Sequence, residues 1–242
     1  MYMMKKYVLL QARNPNDIAK LEEQECFAAQ LGIPQENIFS IDILNDDYSF
    51  DSLDGFDGLL VGGAGEYSVL DDNRHIKRFI NFLGEMTTTD FPTFASCFGF
   101  QALVLALGGT VVKDALNAEV GTYELETTES AAGDPLFQAL PKSFFAQLGH
   151  QDRAEIFPEA IEHLARSKAT EYQALRVPDK PIYATQFHPE LTYLDNRKRF
   201  QRYMSIYGKL FGEKEAQARM DSHRPSPHSN QLLRRFQEHF VG

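Results

Sequence analysis

The sequence predicts an α/β protein built on a doubly wound, mostly parallel sheet flanked by helices, with a small antiparallel β addition. Three observations carry that prediction. Short apolar runs of strand length alternate with longer runs of helical period, which is the pattern of strands joined by helical crossovers. A length of 242 residues suits one large α/β domain better than two small ones. The residues best able to do chemistry fall where apolar runs end, and sheets of this kind bind ligands at the C-terminal ends of their strands.

Tyr7-Val8-Leu9-Leu10 reads as a first buried strand. A helix starting at Asn16 or Asp17 would carry Ile18, Leu21, Ala28 or Ala29, and Leu31 on one face, and Gly32 and Pro34 stop it. Ile38 to Ile43 forms a second strand, followed by a solvated acidic loop at Asn45-Asp46-Asp47. Gly58-Leu59-Leu60-Val61 forms a third, running into Gly62-Gly63-Ala64-Gly65. That turn lacks both the Gly-Lys-Ser/Thr of a phosphate loop and dinucleotide-binding spacing, so it reads as a loop whose N–H groups can approach a substrate oxygen. Asp71 or Asp72 caps the next helix, whose core stripe is Ile76, Phe79, Ile80, Leu83 and Met86.

The chain then reaches Phe91-Pro92-Thr93-Phe94-Ala95-Ser96-Cys97-Phe98-Gly99-Phe100-Gln101. An apolar run ends in a cysteine and a helical run follows at once, the layout that lifts a nucleophile above a sheet. Ala95 and Gly99 are small, as a tight turn requires, and a helix N-terminus favours the thiolate. The plain alternative for Cys97 is a buried core thiol. Gly108-Gly109 ends the helix before a strand at Thr110-Val111-Val112.

From Glu119 to Leu148 the pattern is β, with Asp152 and Arg153 in a loop beyond. Residues 171–177 and 181–187 look like a hairpin whose outgoing arm delivers His188. Pro189 keeps His188 extended, so Glu190 shares its face and can orient the imidazole. A turn after a strand is the bland reading of this run. His150 suits a structural hydrogen bond better than a place in the pocket. A helix over Asn196 to Phe211, a break at Gly212, a Pro/Ser loop at 222–229 and a terminal amphipathic helix carrying Leu232, Leu233, Phe236 and Phe240 complete the chain. The terminal helix is expected to dock on its own domain, with residues 1–212 as the main domain and 213–242 as an extension.

Ser96-Cys97-Phe98-Gly99-Phe100-Gln101 together with Phe187-His188-Pro189-Glu190 resembles the class I (triad) glutamine amidotransferases, over roughly Lys6 to Phe211. Val61-Gly62-Gly63, Glu119-Val120-Gly121, Asp134-Pro135-Leu136-Phe137 and Gly149-His150-Gln151-Asp152 support it. The resemblance implies a flavodoxin-like fold and a Cys97–His188–Glu190 triad. It also implies an oxyanion hole from the N–H groups of Gly63 and Phe98, substrate contacts at Gln101 and Gly62, and no cofactor. Ala95, Ser96 and Phe100 depart from the family pattern of glycine, isoleucine and histidine. Ser96 and Phe100 are expected to border the pocket and leave substrate preference open. A PfpI or DJ-1 type cysteine hydrolase is disfavoured by Phe98 after the cysteine.

The expected reaction is release of ammonia from the γ-amide of glutamine through a γ-glutamyl thioester, with glutamate as product. Second comes a stand-alone γ-glutamyl peptidase, and third a non-catalytic binding protein on the same fold. A synthetase subunit is an expected partner in the first case, because the sequence has no Ser-Gly-Gly-x-Asp-Ser pyrophosphate segment. A net charge of −10 argues against nucleic acid, which needs a basic patch. No apolar run approaches membrane-spanning length and no signal peptide is evident. Two cysteines without such a segment point to the reducing cytoplasm, with Cys26 an inert packed thiol. The histidines show no metal-ligand spacing.

Overall fold

In the computed structural model, which describes residues 5–242, the first half of the chain alternates strand and helix. It comprises β1 (Tyr7–Ala12), α1 (Ala19–Leu31), β2 (Ile38–Asp42), β3 (Gly58–Ala64), α2 (Arg74–Met86), β4 (Thr93–Ser96), α3 (Phe98–Ala106) and β5 (Thr110–Lys113). The second half is strand-rich until its end. It comprises β6 (Glu119–Thr127), β7 (Ser143–His150), β8 (Asp152–Ile156), β9 (Glu162–Ser167), β10 (Ala174–Arg176), β11 (Ile182–Thr185), α4 (Tyr193–Arg202), α5 (Met204–Phe211), α6 (Glu213–Asp221), α7 (Pro227–Asn230) and α8 (Leu232–Phe236).

Nine strands form one sheet in the order β2-β1-β3-β4-β11-β10-β9-β6-β7. The five from β2 to β11 pair in parallel. All six residues of β1 are buried, as an apolar strand covered on both faces by helices must be. The remaining strands pair antiparallel, so the antiparallel part is larger than the small addition expected: it continues the main sheet. β5 leaves that sheet and pairs antiparallel with β8, where the sequence suggested another parallel strand and placed Asp152 and Arg153 in a loop.

Two hydrophobic clusters fill the two faces of the sheet. α2 adds Ile76, Phe79, Leu83 and Met86 to the first. Its N-cap is Asn73, whose side chain accepts from the His75 N–H, rather than Asp71 or Asp72. α1 differs more from expectation. Ile18 and Leu21 face solvent, while Glu23, Cys26, Phe27 and Leu31 turn inward. The helix is rotated because a buried carboxylate, Glu23, takes a place on the inner face that hydrophobic periodicity gives to an apolar residue.

The single helix expected over Asn196 to Phe211 is two, α4 and α5, meeting at Tyr203. Beyond Gly212 the chain returns to the core. Leu232, Leu233 and Phe236 are fully buried, and Phe236 packs edge-on against Phe94 of β4 at 5.5 Å. The segment after Gly212 therefore shares the hydrophobic core of the preceding residues. No helix among the described residues is long and apolar enough to cross a membrane.

Candidate active site

Strand order brings three separate chain segments together. β3, β4 and β11 are neighbours, and Gly63, Cys97 and His188 lie at or just beyond their C-terminal ends. Cys97 joins β4 to α3 with φ 50° and ψ −96°, one of two non-glycine residues with positive φ among the described residues. A conformation of this kind costs on the order of 1–3 kcal/mol and persists only where its surroundings impose it. The Cys97 N–H donates to Thr185 O of β11 at 2.7 Å. A side chain at position 99 would place its Cβ 2.6 Å from Val61 Cγ1 and 2.9 Å from Ala95 Cβ, so only glycine lets α3 start this close to the sheet.

His188 and Glu190 form the second half of the site. Nδ1 of His188 lies 2.6 Å from Oε1 of Glu190, and both residues are buried. The second carboxylate oxygen of Glu190 has no hydrogen-bond partner among the described residues, so its charge acts on the imidazole. Burial alone would lower the pKa of His188. The Glu190 carboxylate and the adjacent Cys97 thiolate outweigh it and push the ring up to about 10.

A residue missed in the sequence touches the nucleophile. Gln186 donates from Nε2 to Cys97 Sγ at 3.7 Å. Its own carbonyl accepts from Gln101 Nε2 at 3.1 Å, and Gln101 also donates to Asp152 O at 2.7 Å. Gln101 thus lines the cavity with its amide engaged by protein, acting on the thiol through Gln186. The signal was present, since Gln186 lies two residues from His188 in extended chain and shares its face.

The glycine loop differs from expectation. The Gly63 N–H donates to Glu23 Oε1 at 3.0 Å, so this expected oxyanion donor is already engaged. Glu23 is fully buried and accepts also from Arg13 Nη2 at 3.0 Å and Gln11 Nε2 at 2.8 Å. Burial would raise its carboxyl, but the Arg13 guanidinium holds it below the usual range. A Cβ at position 62 would fall 2.4 Å from Glu23 Oε2; Gly62 makes room for the carboxylate and lies outside the cavity lining. Phe98 does line the cavity, and as the first residue of α3 its N–H has no helical acceptor.

Ser96 and Phe100, expected at the pocket border, are wholly buried away from it. Phe100 packs on Phe157 at 5.9 Å, and Ser96 donates to Val61 O at 3.3 Å. Conversely His150 lines the cavity, its Nε2 3.2 Å from Glu119 Oε2. The cavity measures about 580 Å³. Arg199, Tyr203, Ile206 and Tyr207, from α4, α5 and the residue between them, form a wall of it that the sequence did not reveal. Cys26 is free and buried, its thiol pushed up to about 12 chiefly by burial.

The sheet order, the strained cysteine turn and the neighbouring His–Glu pair define the class: an α/β protein of the glutamine amidotransferase type. The chain belongs to the class I glutamine amidotransferase family, whose sequence profile matches residues 35–203. A solved glutamine amidotransferase from Thermotoga maritima superposes with a TM-score of 0.74 at 18% identity, covering 99% of each chain. One from Methylobacillus flagellatus gives 0.67 at 20% identity, covering 99% of this chain and 93% of that one. These two likenesses show the fold. Among sequence relatives, the glutamine-hydrolysing GMP synthase of Thermosipho melanesiensis is 40% identical over 104 residues, 43% of this chain and 19% of the relative. In Methanosarcina barkeri, one component of a glutamine-hydrolysing GMP synthase made of separate chains is 36% identical over 106 residues, 44% of this chain and 54% of the relative. The matches thus span about half of the shorter relative and a fifth of the longer one.

Proposed function

We propose that the chain hydrolyses the γ-amide of glutamine through a thioester on Cys97. His188, protonated beside the thiolate, gives its proton to the leaving nitrogen as the C–N bond breaks. The neutral ring then takes a proton from water, which attacks the thioester and releases glutamate and the thiolate. Glu190 holds the imidazole and stabilises its charged form. Gln186 donates a hydrogen bond to the sulfur. The Phe98 N–H is the ready oxyanion donor, a role worth about 3–4 kcal/mol in comparable sites. The Gly63 N–H joins it only after leaving Glu23.

The observation that carries this reading is the buried 2.6 Å His188–Glu190 pair delivered by the strand next to the strained Cys97 turn. GMP synthases among the relatives are named as glutamine-hydrolysing, and a synthetase partner that consumes the ammonia belongs to this proposal. The test is glutamate release by purified Cys97→Ala, which should fall by at least about a thousandfold while the thermal midpoint stays within a few degrees. Retained turnover would remove Cys97 from the reaction.

A further inference from the structure

The cavity has two kinds of wall. Gln101, Gln151 and Asp152 line it from the sheet side, while Arg199, Tyr203, Ile206 and Tyr207 line it from the helices that follow His188. Ile206 and Tyr207 lie beyond the residues that the family profile matches. Phe200 and Tyr207 have ring centroids 4.5 Å apart, and Tyr203 and Tyr207 6.4 Å apart. Nη2 of Arg199 is buried and has no hydrogen-bond partner among the described residues. A buried guanidinium nitrogen without an acceptor costs on the order of 1–3 kcal/mol or more, and a carboxylate is its best complement. The volume, about 580 Å³, falls mid-range for sites of roughly 300–1,000 Å³ that take drug-sized ligands, and glutamine fills only part of it.

We propose that Arg199, Tyr203 and Tyr207 form a leaving-group subsite, and that the preferred substrate is a γ-glutamyl dipeptide whose second residue is aromatic or large and apolar. This rests on the thioester reading above. The second residue's carboxylate pairs with Arg199, and its side chain lies against the two tyrosine rings. Cys97 Sγ bonds to the γ-carbonyl carbon. The γ-amide C–N bond breaks as His188 protonates its nitrogen, and the free amino acid leaves. Water then cleaves the C–S bond to give glutamate.

Four substrates test it: glutamine, γ-glutamyl-phenylalanine, γ-glutamyl-alanine and γ-glutamyl-phenethylamine, the last lacking the carboxylate. In the wild type, kcat/KM for γ-glutamyl-phenylalanine should exceed that for glutamine at least tenfold. Arg199→Met should lose at least tenfold more on γ-glutamyl-phenylalanine than on γ-glutamyl-phenethylamine. Tyr207→Ala should lose more on γ-glutamyl-phenylalanine than on γ-glutamyl-alanine, and because these are ratios within one variant, a general loss of folded protein cancels. Equal or better use of glutamine by the wild type, or equal losses on the compared amides, would overturn the subsite. The thioester reading fails separately: no glutamate from any of the four, and no labelling of Cys97 by a diazoketone analogue of glutamine. A protein that labels at Cys97 and hydrolyses glutamine without leaving-group preference overturns the subsite alone.

Discussion

Glu190 offers one oxygen to His188 and leaves the other unpaired in the interior, so replacing it acts chiefly on the ring. Glu190→Gln keeps the shape and removes the charge. Burial then weighs more heavily on His188, and its pKa drops from about 10. Protonated His188 is the form that delivers the leaving-group proton, so the alkaline limb of turnover should move to lower pH by at least about one unit, equivalent to about 1.4 kcal/mol. The loss of rate should be smaller than for Cys97→Ala. Turnover and thiol alkylation measured across pH check this, and an unchanged profile would make Glu190 only a turn residue. Gln186→Met removes the donor to Sγ at similar volume. Alkylation of Cys97 at neutral pH should slow by about tenfold, in the range of a hydrogen bond to a charged group. Alkylation at the wild-type rate would leave Gln186 as packing. At this scale Cys97, His188 and Glu190 were legible because proline, extended chain and a strand-to-helix turn fix local geometry. Glu23 was not: a buried carboxylate is legible only through Arg13 and Gln11, and those contacts are tertiary.

Among the elements, α7 does more for the site than its four residues suggest. Asn230 donates from Nδ2 to Pro189 O and Leu191 O, at 2.8 Å each, bracketing Glu190. With each bond contributing about 0.5–1.5 kcal/mol net, Asn230→Ala should cost about 1–3 kcal/mol in urea unfolding. It should also lower kcat on the order of tenfold by loosening the orienting acid. Full activity at reduced stability would confine α7 to a structural role. The Pro/Ser composition of 222–229 read as loop because Asn230 reports its role only through two carbonyls distant in sequence. The same limit hid the rotation of α1, the departure of β5 and the break at Tyr203. Hydrophobic period fixes that a segment is helical, while the partner it meets decides which face turns inward.

Over the whole molecule, the parallel half of the sheet was readable from alternating strands and helices. The antiparallel half was underestimated because its strands are short and polar on one face, as Glu162–Ser167 is. The catalytic constellation needs both halves: β11 is parallel to β4 on one side and antiparallel to β10 on the other. The helices after His188 then close the cavity with residues that carry no motif. The central claim is that this assembly forms a γ-glutamyl thioester on Cys97 and on no other residue. Acid-quenching the protein during turnover of glutamine and mapping the peptides by mass spectrometry tests it most directly. One γ-glutamyl group on the Cys97 peptide, absent from Cys97→Ala, is the predicted result. Glutamate formed with no adduct at Cys97, or with the adduct on Cys26, would contradict it.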